Sequence, residues 1–95
     1  MKELVPSEFF LSQNYPNPFK DSTKIKYCLP EKTKVNLSVY NSDGEKVKQL
    51  VNQVQEAGTY ETTLDGYEFK NGFYYYRFEA GSFIENRKMV LLKYY

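Results

Sequence analysis

The sequence predicts an all-β domain, a sandwich of about seven antiparallel strands, on three observations. Aromatic residues make up 18% of the 95 residues, as ten Tyr and seven Phe with no Trp, and such rings, like Val, Thr and Ile, favour pleated surfaces. Apolar residues recur at every second position in several runs, which is the period of a half-buried strand. Turn chemistry built on Gly, Pro, Asn and Asp separates those runs at roughly ten-residue spacing, as in a sandwich.

Residues 1–8 are polar, broken by Pro6, and read as a linker remnant or disordered N-terminus, with the domain proper at 9–95. Phe9 to Gln13 is a short first strand. It delivers the chain to Asn14-Tyr15-Pro16-Asn17-Pro18-Phe19. Each proline fixes its own φ and holds the preceding residue out of the helical region, so this hexapeptide is a stiff, extended strap. A segment lacking the backbone donors of Pro16 and Pro18 cannot be a central strand. It is expected to cross an end or edge of a sheet, pinned by Tyr15 and Phe19 as aromatic anchors.

From Ser22 to Leu29, the residues Ile25, Tyr27 and Leu29 alternate with Lys24, Lys26 and Cys28. Thr33 to Tyr40 repeats the alternation with Val35, Leu37 and Val39 facing in, and Pro30-Glu31-Lys32 reads as the turn of a hairpin between the two. Asn41-Ser42-Asp43-Gly44 is a tight-turn signal, because Asp-Gly suits the positive φ that such turns need. Val47, Leu50, Val51 and Val54 then fall at the spacing of a helical stripe. A segment of two to three turns is helical only with tertiary support, so the residues alone leave strand and short helix both open at 46–55.

Ala57-Gly58 turns the chain again, and Thr59 to Asp65 places Tyr60, Thr62 and Leu64 on one face. Asp65-Gly66 and Lys70-Asn71-Gly72 bound an irregular stretch holding Tyr67 and Phe69. Gly72 opens the most hydrophobic hairpin. In it Tyr74, Tyr76, Phe78 and Ala80 face the core while Phe73, Tyr75, Arg77 and Glu79 face outward. After Gly81-Ser82, Phe83 to Lys93 returns as the last strand, and its Met89-Val90-Leu91-Leu92 is apolar at both parities, as a strand covered on both sides would be.

Charge and composition narrow the function. With 13 basic and 12 acidic residues the net charge is +1, which gives no electrostatic footprint for a phosphate backbone, and no nucleic acid partner is expected. No run approaches the roughly 20 apolar residues of a membrane-spanning helix. The opening residues lack the apolar core of a signal peptide, so the chain is either cytoplasmic or part of a longer exported protein whose signal lies elsewhere. There is no His, which would leave acid–base chemistry to carboxylates or a perturbed lysine. Asp43 and Asp65 each precede glycine and read as turn formers. Cys28, the single cysteine, reads as a small strand residue. No metal-ligand spacing and no phosphate loop is present, so neither a catalytic residue nor a metal or cofactor is expected. The one alternative with residues behind it is a sugar-stacking platform of Phe73 and Tyr75, as in an accessory carbohydrate-binding or adhesive module of a secreted enzyme.

Leu11 to Phe19, followed by Ser22-Thr23-Lys24-Ile25, resembles the opening of the C-terminal sorting domain of type IX secretion cargo. The likeness continues in order through Val39-Tyr40-Asn41, Asp43-Gly44, Val47, Leu50-Val51, Ala57-Gly58, Leu64-Asp65, Gly72-Phe73-Tyr74 and Lys88 to Lys93. Gly44, Gly58 and Gly72 are the turn glycines of that pattern. Leu64 stands where the family often has Trp, Lys20-Asp21 stands where a second Asn-Pro commonly follows the strap, and Tyr94-Tyr95 extends past the usual closing lysine. The resemblance implies a non-catalytic, immunoglobulin-like β-sandwich with a bulged strand at 46–55. It also implies an N-terminal passenger in the same chain, passage through the periplasm of a Gram-negative bacterium, recognition by the type IX translocon, and removal by a sortase-like protease that attaches the passenger to the cell surface. Arg87, Lys88, Met89, Val90, Leu91, Leu92 and Lys93 form the candidate recognition segment. A closing strand bracketed by lysines can add to a partner's sheet through an unpaired edge while the lysines discourage indiscriminate pairing.

Overall fold

The computed structural model describes residues 6–93, so residues 1–5 of the expected linker and the Tyr94-Tyr95 extension lie outside the described residues. The strands are β1 (Phe10–Leu11), β2 (Ser22–Leu29), β3 (Thr33–Asn41), β4 (Lys46–Gln55), β5 (Gly58–Asp65), β6 (Gly72–Ala80) and β7 (Phe83–Leu91), with a single 3-10 turn at Gly66–Glu68. They form two antiparallel sheets, ordered β1-β2-β5 and β4-β3-β6-β7. This is the immunoglobulin-like sandwich. Tyr74, at the start of β6, donates its O–H to the Lys70 carbonyl at 2.7 Å, the corner contact seen where such sandwiches pass from one sheet to the other.

Alternation explains the core. Ile25, Tyr27 and Leu29 from β2 face Val35, Leu37 and Val39 from β3 across the sandwich, all buried. Tyr27 packs against Phe78 with ring centroids 5.0 Å apart and stacks on Tyr60 at 5.4 Å. Full burial of side chains of this size contributes about 1.5–3 kcal/mol each. The Tyr27 O–H reaches across to donate to Gln55 Oε1 at 2.6 Å, so the buried phenol has an acceptor on the opposite sheet.

Two expectations need correction. β2 and β3 do not form a hairpin: β2 pairs with β1 and β5, while β3 pairs with β4 and β6. Pro30-Glu31-Lys32 carries the chain from one sheet to the other, and none of its residues adopts the positive φ of a two-residue hairpin turn. The last strand is also not covered on both sides. Met89 and Leu91 are buried, Val90 is half-buried, and Leu92 lies beyond the strand and is exposed.

The segment at 46–55 is a strand. Its register against β3 slips twice, leaving Leu50 and then Val47 as extra residues on β4. Those two bulges turn the helix-like spacing of Val47, Leu50 and Val51 into a bent strand whose Leu50 and Val51 still reach the core. The β3–β4 turn closes as expected, with Gly44 at φ 87° and its N–H donating to the Asn41 carbonyl.

Candidate recognition surface

The strap is built from its ends inward. Ser12 donates its N–H to the Lys26 carbonyl, and Tyr15 exchanges backbone bonds with Lys24, so residues 12–15 run along the edge of β2. The chain then bends at Pro16–Pro18, where both X-Pro bonds are cis. Phe19 emerges on the other sheet, parallel to β7: its N–H donates to the Val90 carbonyl and its carbonyl accepts from the Leu92 N–H, each at 2.9 Å. The strap therefore joins the edges of both sheets on one flank.

Its anchors differ from those expected. Phe19 is 2% exposed, but Tyr15 is 80% exposed and anchors nothing with its ring. The second anchor is Asn14, also 2% exposed. Its Nδ2 donates to Thr23 Oγ1 at 3.0 Å and to the Pro16 carbonyl at 3.2 Å, while its Oδ1 accepts from Gln13 Nε2 at 2.7 Å. Thr23 Oγ1 in turn donates to the Pro16 carbonyl at 2.8 Å, so the bend is held by a closed polar network. Thr23 was legible as a participant, because it shares the inward parity of Ile25, Tyr27 and Leu29, and a buried hydroxyl requires a partner.

The edge of β7 is consequently not open along the candidate segment. From the Lys88 carbonyl to the Leu92 N–H the outward backbone groups are taken up: Gln13 Nε2 donates to the Lys88 carbonyl, Asn17 Oδ1 accepts the Val90 N–H, and Phe19 bonds the Val90 carbonyl and the Leu92 N–H. The prolines remove backbone donors from the strap; the Gln13 side chain before them supplies a donor, and the Asn17 side chain between them supplies an acceptor. The expected route for strand addition through this stretch is thus occupied by the chain itself.

What the segment does present is side chains. Lys88 lies on the outer face with its Nζ 4.2 Å from the centre of the Phe73 ring, a cation–π contact. Exposed Leu92 is followed by Lys93, whose N–H donates to Asn71 Oδ1 at 2.7 Å and whose Nζ reaches the Tyr67 carbonyl at 3.3 Å. Arg87 sits on the inward face of β7, opposite Tyr76, and pairs with Glu85 at 2.8 Å. Its buried Nε has no partner among the described residues. Inward charges of this kind guard an edge strand against foreign pairing.

The outward aromatics fall where parity places them. Phe73 is 55% exposed and Tyr75 half-buried, beside a shallow depression of about 500 Å³ also lined by Asn86 and Lys88. Each ring already has a neighbour on one face, Lys88 on Phe73 and Tyr40 stacked on Tyr75 at 5.1 Å. Asp43 and Asp65 are exposed and lie on opposite sheets' turns, not together. Gly44, Gly58 and Gly72 all have positive φ.

Tyr76 closes the same flank from within. Its O–H donates to the Ser12 carbonyl at 2.6 Å, tying β6 to the chain just before the strap. Burial pushes its phenol from 10.0 up to about 12. The unfolded phenol ionises from pH 10 upward while the folded one keeps its proton to about 12, so this group leaves stability unchanged below pH 10 and erodes it between those values. Chemical denaturation across that window should give a loss of about 1.4 kcal/mol per pH unit. In Tyr76→Phe that share of the slope should vanish.

The family model described as "Secretion system C-terminal sorting domain" matches residues 13–92, a span that takes in the strap, both sheets and the closing strand. The chain belongs to that family. No curated protein and no solved structure matches it. As a type IX secretion C-terminal sorting domain it implies type IX machinery as its partner, and secretion to the cell surface or beyond. The family is in general non-catalytic. No helix among the described residues is long and apolar enough to cross a membrane.

Proposed function

We propose that this sorting domain is the address label of a longer exported protein: it travels through the periplasm with an N-terminal passenger, is recognised by the type IX translocon at the outer membrane, and is then cleaved by a sortase-like protease or used for cell-surface attachment. The observation that carries the reading is the continuous family match over residues 13–92, which includes the strap and the final strand together. Within the recognition segment Arg87 to Lys93, the side chains of Lys88, Leu92 and Lys93 make contact with the translocon. Met89 and Leu91 act as core residues that hold them in register. Backbone addition at Lys88–Leu92 is not the mode of contact, since the strap already occupies those groups.

The test separates address from stability. Lys88→Glu and Lys93→Glu are placed beside Leu91→Ala in a reporter exported by a type IX-competent host. The charge reversals are expected to cost no more than about 1 kcal/mol, the scale of the exposed cation–π contact that Lys88→Glu removes, and to lower export severalfold. Leu91→Ala should cost about 2–5 kcal/mol. Export that follows melting temperature across all three variants would reduce the segment to a closing core strand.

A further inference from the structure

The four-stranded sheet turns one face to the core and the other to solvent. Its registers set Lys46, Tyr40, Tyr75 and Lys88 directly opposite one another, in one row on the outer face. With neighbouring strands about 4.8 Å apart, the row spans roughly 14 Å from β4 to β7. Lys46 and Lys88 are its exposed ends. Between them the rings of Tyr40 and Tyr75 stack at 5.1 Å.

Each member of the row lacks the partner that its counterparts elsewhere have. Lys24, Lys26, Lys32 and Lys48 all pair with glutamates. Lys46 has no acid partner among the described residues, and Lys88 has only the Phe73 ring. Glu45, beside Lys46 in sequence, directs its carboxylate to Asn41 Nδ2, and Glu79, the one carboxylate of β6, is held by Arg77 at 3.0 Å. The other tyrosines of the strands, Tyr27, Tyr60, Tyr74 and Tyr76, each donate the hydroxyl to an acceptor within the domain. Tyr40 and Tyr75 donate to none among the described residues. The row is thus two ammonium groups and two phenols in line, all able to donate and none engaged, and such donors bond most strongly to ionised acceptors.

We infer that the translocon contact extends from Lys88 across Tyr75 and Tyr40 to Lys46, and that the translocon surface it meets is acidic. The inference rests on reading Arg87 to Lys93 as the address. Lys88 belongs to both, so the row continues that surface onto strands far from it in sequence. β3 and β6 are paired on both sides, which leaves no backbone group free in the middle of the row and makes side chains the whole of the contact. Carboxylates of the partner would meet Lys46 and Lys88 without breaking an existing ion pair, and the phenols between would donate to the same groups. Charge complementarity of this kind selects the partner and speeds encounter.

The reporter fusion tests this with changes outside the recognition segment. Lys46→Glu should lower export severalfold, Lys46→Gln less, and Lys46→Arg not at all. Tyr40→Phe combined with Tyr75→Phe keeps the stack but removes both donors, and should also lower export severalfold. Lys34→Glu is the control. Lys34 is exposed on the same face without an acid partner, roughly 20 Å along β3 from Tyr40; its reversal changes net charge as Lys46→Glu does and should leave export intact. Normal export in Lys46→Glu, with export lowered in Lys88→Glu and Lys93→Glu, overturns the extension and leaves the address in its segment. Normal export in all three reversals removes the address reading, and the extension with it. A loss in Lys34→Glu or Lys46→Arg as large as in Lys46→Glu, or export that tracks the urea midpoints of the purified variants, also overturns the extension.

Discussion

Replacing Phe19 by alanine is expected to destabilise the domain by about 3–5 kcal/mol, the cost of deleting a buried ring, whereas Tyr15→Ala should cost no more than about 0.5 kcal/mol. The two rings bracket the same prolines and look equivalent in the sequence. Their environments are opposite. Phe19 lies in the core against Gly66, where a glycine Cβ would stand 3.2 Å from the Phe19 ring, so no space is left around it. Its backbone is also the only part of the strap that pairs main chain to main chain with β7. Removing the ring therefore loosens both the core and the cover over Lys88–Leu92. Urea unfolding of the two variants measures the contrast. Equal losses would mean that the strap is held from both ends by its rings after all.

Asn14→Ala is the second large effect, at about 2–3 kcal/mol. The amide supplies two donated bonds in a buried setting and its loss leaves neighbouring polar groups short of partners. Asn14→Asp discriminates the cause. A carboxylate keeps the shape but cannot donate, and it would face the Pro16 carbonyl and the Thr23 hydroxyl oxygen. Desolvation and these acceptors favour its protonated form, so the aspartate variant should be less stable than the alanine variant near neutral pH and should recover as the pH falls through its raised pKa. Thermal melts at several pH values check this. An aspartate variant as stable as wild type at neutral pH would show that the side chain is solvated and that the polar network does not hold the bend.

The strands were legible because their chemistry is local. Ile25, Tyr27 and Leu29 announce a buried face by alternation alone, and Tyr74, Tyr76, Phe78 and Ala80 do the same for β6. Gly44 marks its turn through the conformation it permits. The strap's interior was not legible. Carried on from Leu11, alternation puts Tyr15 inward and Asn14 outward, but the burial parity slips at Ser12–Gln13, before either proline, and it is Asn14 that is buried and Tyr15 that is exposed. Sheet partners are equally hidden: Pro30 ends a strand in the same way for a hairpin as for a crossing between sheets. The cover over β7 depends on Phe19 meeting Leu91, a contact between opposite ends of the chain that leaves no local trace. For the candidate segment, the apolar run at Met89–Leu92 was visible, but the division into buried Met89 and Leu91 and presented Lys88, Leu92 and Lys93 needed the register with β6.

The sorting role is tested most directly by fusing the 95-residue chain to the C-terminus of a reporter that carries its own export signal. The fusion is expressed in a Gram-negative host with a type IX system and in the same host lacking the translocon. The reporter should reach the cell surface or medium only when the domain and the translocon are both present, and should stop in the periplasm when either is missing. A folded fusion that stays in the periplasm of the competent host, or one that leaves equally well without the translocon, would contradict the assignment.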